Sequence, residues 1–66
     1  MKNKLKVARA EADLTQAELA ERIGVTRQAV NSIELGKYVP STVLALKMAR
    51  LFGKTVEEIF MLEEGD

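Results

Sequence analysis

Cysteine and histidine are both absent from this sequence of 66 residues. Disulfide bonds and the common zinc sites are therefore excluded as sources of stability. The sequence also lacks a Gly-rich phosphate loop and a cluster of carboxylates that could share a pocket. We therefore expect no enzymatic activity, no metal site and no cofactor.

Long apolar runs are missing as well, because no stretch approaches the ~18 consecutive apolar residues of a membrane span. The amino-terminal segment "MKNKLKVARA" is basic, but no apolar segment of a signal peptide follows it. We expect no membrane association and no small-molecule ligand. The absence of cysteine fits a reducing compartment, so a cytoplasmic location is the default expectation.

The chain is rich enough in hydrophobic residues, at 47%, to form a core. A domain of this size buries only about 60% of its unfolded surface, so helix packing or association must supply the stability. We predict one domain over residues 1–66, in which the acidic tail of about 61–66 frays.

Charge is distributed unevenly although the net charge is zero. Residues 1–54 contain all ten basic and five acidic residues, a net charge of +5, whereas residues 55–66 carry the other five acids. This asymmetry fits a basic surface for nucleic acid. It fits equally an ordinary charged surface with an acidic, solubilising tail.

Helix signals recur every 10–15 residues, and strand signals are weak. Thr15 with Glu18, and Thr55 with Glu58, form capping boxes. Gly24 and Gly53 stand where helices end most easily. The predicted all-α domain has five short helices, at roughly 2–12, 15–23, 27–35, 42–52 and 55–60.

The second and third predicted helices are joined by Gly24, Val25 and Thr26. A turn of three to four residues that contains glycine, between two short helices, is typical of a helix-turn-helix. Ala20 is small where the two helices should cross.

One face of the third helix is polar but carries a single charge. At 100° per residue, the side chains opposite its apolar face are Arg27, Gln28, Asn31 and Ser32. A merely solvated face would more often use Glu and Lys, because Asn and Ser lower helix propensity. Arg, Gln, Asn and Ser are side chains that read base edges in the major groove. The pattern favours DNA recognition by this face.

Residues 5–60 resemble the Cro/phage-repressor type of helix-turn-helix, the XRE family. The resemblance lies in "LTQAELAERIGVTRQAVNSIELGKYVPS" and the following "ALKMARLFGKTVEEIF". It implies a lambda-repressor-like, five-helix DNA-binding domain of a prokaryotic or phage regulator, most of which bind operators as dimers. It also implies base-reading roles for Arg27, Gln28, Asn31 and Ser32, and phosphate contacts for Gln16, Thr26, Lys37 and Tyr38.

Three further positions are interpreted through the same resemblance. Arg9 and Glu34 match a basic–acidic pair that ties the first helix to the third, with a phosphate contact by Arg9 as the lesser alternative. Leu35 departs from the family pattern, because many relatives carry a polar residue there that helps to hold the DNA backbone.

The fourth predicted helix is too apolar for one buried face. We assign to the core the positions Thr42, Ala45, Ala49 and Phe52. A second apolar surface then comprises Leu44, Met48, Leu51, Met61 and Leu62. Either the fifth helix and the tail cover this surface, or it is a homodimer interface.

The sequence therefore predicts a regulator that binds specific double-stranded DNA, most simply a repressor that binds a palindromic operator as a homodimer. The alternative is an antitoxin-like or immunity-type module that binds another protein through its acidic tail.

Overall fold

Five helices and one small strand pair make up the fold in a computed structural model that describes residues 1–66. The elements in chain order are β1 (Lys2–Asn3), α1 (Leu5–Glu11), α2 (Gln16–Ile23), α3 (Arg27–Glu34), α4 (Thr42–Phe52), α5 (Val56–Ile59) and β2 (Phe60–Met61). The predicted all-α class with five helices is confirmed. None of these helices combines the length and the apolar character needed to cross a bilayer.

Side-chain caps define where the last four helices, α2 to α5, begin. The Thr15 hydroxyl accepts a hydrogen bond from the Glu18 amide at 3.1 Å, and the Thr15 amide donates to the Glu18 carboxylate at 2.9 Å. Thr55 and Glu58 repeat this reciprocal arrangement at α5. Both predicted capping boxes are therefore present, and each satisfies amides that the first helical turn leaves unpaired.

The core is a single hydrophobic cluster to which every helix contributes. Its fully buried large side chains come from all five helices: Leu5, Leu19, Val30, Ile33, Met48 and Ile59. The packing of α2 on α3 and of α4 on α5 leaves the outer face of α3 in solvent.

The assignment of two α4 residues to a dimer surface was wrong. Leu44 is 7% exposed and Met48 is fully buried, and both belong to the core beside Ala45 and Ala49. Thr42, predicted to be buried, is exposed. The face of Leu44 and Met48 is turned into this core, which also includes Leu19 and Ile59. For these two residues, the alternative that the chain covers the surface itself therefore holds.

The exposed apolar surface of α4 lies elsewhere. Val39, Val43 and Leu46 are 61%, 63% and 56% exposed, and we refer to these three residues as the α4 patch. Of the remaining tail and helix residues predicted for the interface, Leu51 and Met61 are half-buried and Leu62 is exposed.

A two-residue antiparallel strand pair joins the chain ends, which the sequence did not predict. Lys2 pairs with Met61 and Asn3 with Phe60, so α1 begins at Leu5 rather than near residue 2. Two contacts connect the predicted tail to the amino terminus. Met61 is paired, and the Met1 amino group lies 3.1 Å from a carboxylate oxygen of Glu63.

Candidate nucleic-acid interface

The turn between α2 and α3 sets the geometry of the candidate interface. Gly24 adopts a left-handed conformation, with φ of 77°, and its amide donates to the Ala20 carbonyl at 2.9 Å. A residue with a Cβ atom is strained in that conformation. Val30 and Ile33 are fully buried beneath the turn, so the opposite face of α3 is fixed toward solvent.

The outer face of α3 forms part of a concave surface that is lined entirely by polar side chains. It is lined by Gln16, Arg27, Gln28, Asn31 and Ser32. The structure thus brings together all four residues predicted to read bases, with Gln16 of α2 beside them. Arg27, Gln28 and Asn31 are exposed and Ser32 is half-buried.

An ion pair fastens α1 to the end of α3, as the sequence predicted. Arg9 Nε donates to Glu34 Oε2 at 2.7 Å, and Arg9 Nη1 donates to the Leu14 carbonyl at 2.8 Å. The Arg9 and Glu34 side chains are only 16% and 5% exposed. Arg9 is therefore held within the protein.

Sequence reasoning missed a hydrogen-bonded connection between α2 and α3. Gln16 Nε2 donates to Glu34 Oε1 at 3.0 Å and to Asn31 Oδ1 at 3.1 Å. The family resemblance predicted that Gln16 contacts a phosphate. Asn31 lies 15 positions and Glu34 18 positions further along the chain, and no sequence pattern indicates these hydrogen bonds. A phosphate contact by Gln16 stays a prediction.

Asn3 makes a second connection to α3 that the sequence did not reveal. Its Nδ2 group donates to the Ile33 carbonyl at 2.8 Å, and its Oδ1 atom accepts from the Leu5 amide at 3.1 Å. It therefore links the first residue of α1 to the last turn of α3. The predicted first helix, at roughly 2–12, included Asn3, so neither the contact with Leu5 nor the partner on α3 was predicted from the sequence.

The other predicted phosphate contacts lie at the ends of α3. The Thr26 hydroxyl accepts from the Ala29 amide at 3.1 Å and keeps its own hydrogen free to donate. Lys37 and Tyr38 are exposed in the connection to α4, next to the exposed Leu35. Their contacts with DNA remain predictions.

A helix-turn-helix family model matches residues 5–59. The chain belongs to the Cro/C1-type, or XRE, helix-turn-helix family. This XRE protein is a DNA-binding transcriptional regulator and not an enzyme.

Relatives of this XRE protein occur in archaea, bacteria and phage. It is 52% identical to an uncharacterized HTH-type transcriptional regulator of Methanocaldococcus jannaschii, over 100% of both chains. It is 52% identical to the uncharacterized HTH-type transcriptional regulator YgzD of Bacillus subtilis, over 97% of each. It is 35% identical to the ImmF control region 10 kDa protein of Bacillus phage phi105, over 92% of this chain and 73% of that protein.

A solved structure shares the fold. The hypothetical transcription factor NHTF from Neisseria superposes with a TM-score of 0.74 at 24% identity, covering 82% of this chain. This XRE protein spans 61% of the length of that chain.

Proposed function

We propose that this XRE protein is a cytoplasmic repressor that binds a palindromic operator in double-stranded DNA as a homodimer. The concave polar surface of α3 carries the proposal. It presents four side chains suited to base edges on a helix whose opposite face is locked into the core. The phage phi105 relative is named as a protein of a control region, which supports a regulatory role.

The chemistry of the concave surface matches the major groove. An arginine pairs bidentately with guanine, a glutamine or an asparagine pairs with adenine, and a serine serves either. Arg27 and Gln28 form the first turn of α3, the part of a recognition helix that reaches base edges. Asn31 and Ser32 extend the same face by one turn.

Phosphate contacts would hold the helix in register. Lys37 and Tyr38 follow α3, and the Thr26 hydroxyl precedes it. At α2, the backbone amide of Gln16 occupies the first helical turn, where amides and the positive end of the helix dipole favour an anion. These contacts carry no base information, so they should strengthen binding to every sequence.

The α4 patch is the proposed dimer interface, in place of the buried Leu44 and Met48. Two of its apolar side chains, Val43 and Leu46, adjoin the basic residues Lys47 and Arg50 on the same helix. A palindrome requires two recognition helices one DNA turn apart, which a symmetric pair of copies supplies. Association through an exposed apolar patch also stabilises a domain of this size.

Selection of binding sites from random duplex DNA tests the proposal directly. We expect a palindromic consensus, and an affinity for it that falls steeply as the salt concentration rises. If no sequence is preferred over random DNA, the proposed operator-binding function is wrong. An antitoxin-like or immunity-type module, which would use the α4 patch and the acidic tail for a protein partner, predicts that absence of preference.

Two matched variants separate base reading from phosphate contact. Gln28→Ala should weaken binding to the consensus by roughly 1–3 kcal/mol and relax one base position. Lys37→Ala should weaken consensus and random duplexes alike and reduce the dependence on salt. If both variants lose affinity equally on every sequence, this division of roles is incorrect.

A further inference from the structure

We propose that Gln16 is a positioning residue which, together with Glu34, fixes the orientation of the Asn31 side-chain amide. Asn31 then meets the DNA as a hydrogen-bond donor, through Nδ2, to a purine N7 or a base carbonyl oxygen. This inference rests on the proposed function and assigns a residue of α2 to base specificity.

The orientation is set first at Glu34. Its carboxylate is ion-paired with Arg9, whose Nε atom lies 2.7 Å from Oε2. An ionised carboxylate has no hydrogen to donate, so any further partner must donate to it. Gln16 is that partner, at 3.0 Å from Oε1.

The acceptor on Glu34 determines which end of the Gln16 amide faces it. An amide carries a carbonyl oxygen on one side and an NH₂ group on the other, and only the NH₂ group can donate. The Nε2 atom of Gln16 therefore lies toward Glu34. Its second hydrogen is directed to Asn31, whose facing atom at 3.1 Å is Oδ1.

The orientation of the Asn31 amide follows from the same donor and acceptor rule. Because Gln16 presents a donor, Asn31 must present its oxygen, and this requirement determines the orientation of the Asn31 amide. The Nδ2 group makes no hydrogen bond within the protein. Asn31 is exposed on the concave surface, so Nδ2 is the group left to donate to a base.

A fixed donor selects among base edges. Purine N7, guanine O6 and thymine O4 accept hydrogen bonds in the major groove, whereas cytosine N4 and adenine N6 donate. An Asn31 amide free to rotate could match either kind of edge. Held by Gln16, it favours edges that place an acceptor opposite Nδ2.

A double-mutant cycle on the duplex selected by the wild type tests this coupling. Gln16→Met keeps the size of the side chain but removes both hydrogen bonds. Gln16→Met and Asn31→Ala should each lower affinity roughly 2- to 12-fold, the effect of one hydrogen bond. The double variant should bind no more weakly than Asn31→Ala alone. As the matched control, Gln16→Met combined with Gln28→Ala should show multiplied losses, because Gln28 is outside the connection.

The base preference gives a readout that a merely structural role would not change. Repeating the site selection with Gln16→Met should alter the consensus only at the base pair that Asn31→Ala also alters. Multiplied losses in the Gln16–Asn31 pair, or equal weakening on every sequence, would overturn the inference and leave Gln16 as a phosphate contact.

A measurement on the free wild-type protein is independent of any variant's folding. Nuclear Overhauser effects should link the side-chain amide hydrogens of Gln16 to Asn31, and their absence would overturn the inference. If the wild type selects no consensus at all, the proposed function fails, whereas the contact between Gln16 and Asn31 is still judged by this measurement.

Discussion

Replacing Glu34 by alanine should destabilise the domain far more than a typical surface substitution. The Glu34 side chain is only 5% exposed, and it accepts from both Arg9 and Gln16. Without the carboxylate, the Arg9 guanidinium stays largely buried with the Leu14 carbonyl as its remaining partner. Removing one member of a buried ion pair costs about 3–5 kcal/mol. Because Arg9 keeps 16% exposure and one carbonyl partner, we expect about 3 kcal/mol.

This loss is large relative to the stability of so small a domain. At 0.05–0.15 kcal/mol per residue, the free energy of unfolding is roughly 3–10 kcal/mol. A change of 1 kcal/mol moves the melting temperature of a small domain by about 4–8 °C, so Glu34→Ala should lower it by about 12–24 °C.

Thermal unfolding followed by circular dichroism measures this shift. The control is the double variant Arg9→Met/Glu34→Leu, which removes both charges and should be more stable than Glu34→Ala. A surface substitution usually changes the free energy of unfolding by less than about 0.5 kcal/mol. If Glu34→Ala has so small an effect, the reasoning that treats Arg9 and Glu34 as a buried ion pair is wrong.

Three further predictions concern the dimer, the core and the caps. Leu46→Glu places a charge in the α4 patch, so it should yield a folded monomer with weaker operator binding. Sedimentation measures the oligomeric state and circular dichroism the folding, and a wild type that is monomeric at high concentration would exclude a free dimer. Met48→Ala should lower the free energy of unfolding by about 2–5 kcal/mol in urea, whereas Leu46→Ala, at 56% exposure, should have a much smaller effect; equal losses would contradict the assigned burial. The backbone hydrogen bond from Thr15 lowers the pKa of Glu18 below its ordinary value of 4.5. The ionised Glu18 carboxylate therefore stabilises the fold fully above pH 4.5, and this contribution is lost as the pH falls through the pKa of the folded state. Glu18→Gln should therefore flatten the acid dependence of stability, and an unchanged pH profile would refute this role.

Features decided by neighbouring residues were predictable from the sequence. The Thr15–Glu18 capping box depends on hydrogen bonds between residues three apart, and Gly24 ends α2 through its own backbone conformation. The outward face of α3 was predictable as well, because its apolar and polar residues separate cleanly around the helix.

Features decided by contacts between elements were not predictable. A helical wheel shows that Leu44 and Met48 share a face of α4, but on so apolar a helix it does not show which face is buried. The packing of α4 against α2 and α5 decides that question. Likewise, the Gln16–Asn31 hydrogen bond joins two helices, so it follows from their packing and from no local pattern.

The pairing of β1 with β2 has a consequence for the order in which the chain folds. Joining Lys2 to Met61 closes a loop of almost the whole chain, which costs roughly 3–4 kcal/mol of conformational entropy for about 60 residues. Contacts between α2 and α3 close much shorter loops and can form earlier. The strand pair should therefore form last and open first, with amide hydrogen exchange at Lys4, which donates to the Ile59 carbonyl, faster than at the buried Val30. The two ends of the chain can then separate while the recognition helix remains folded.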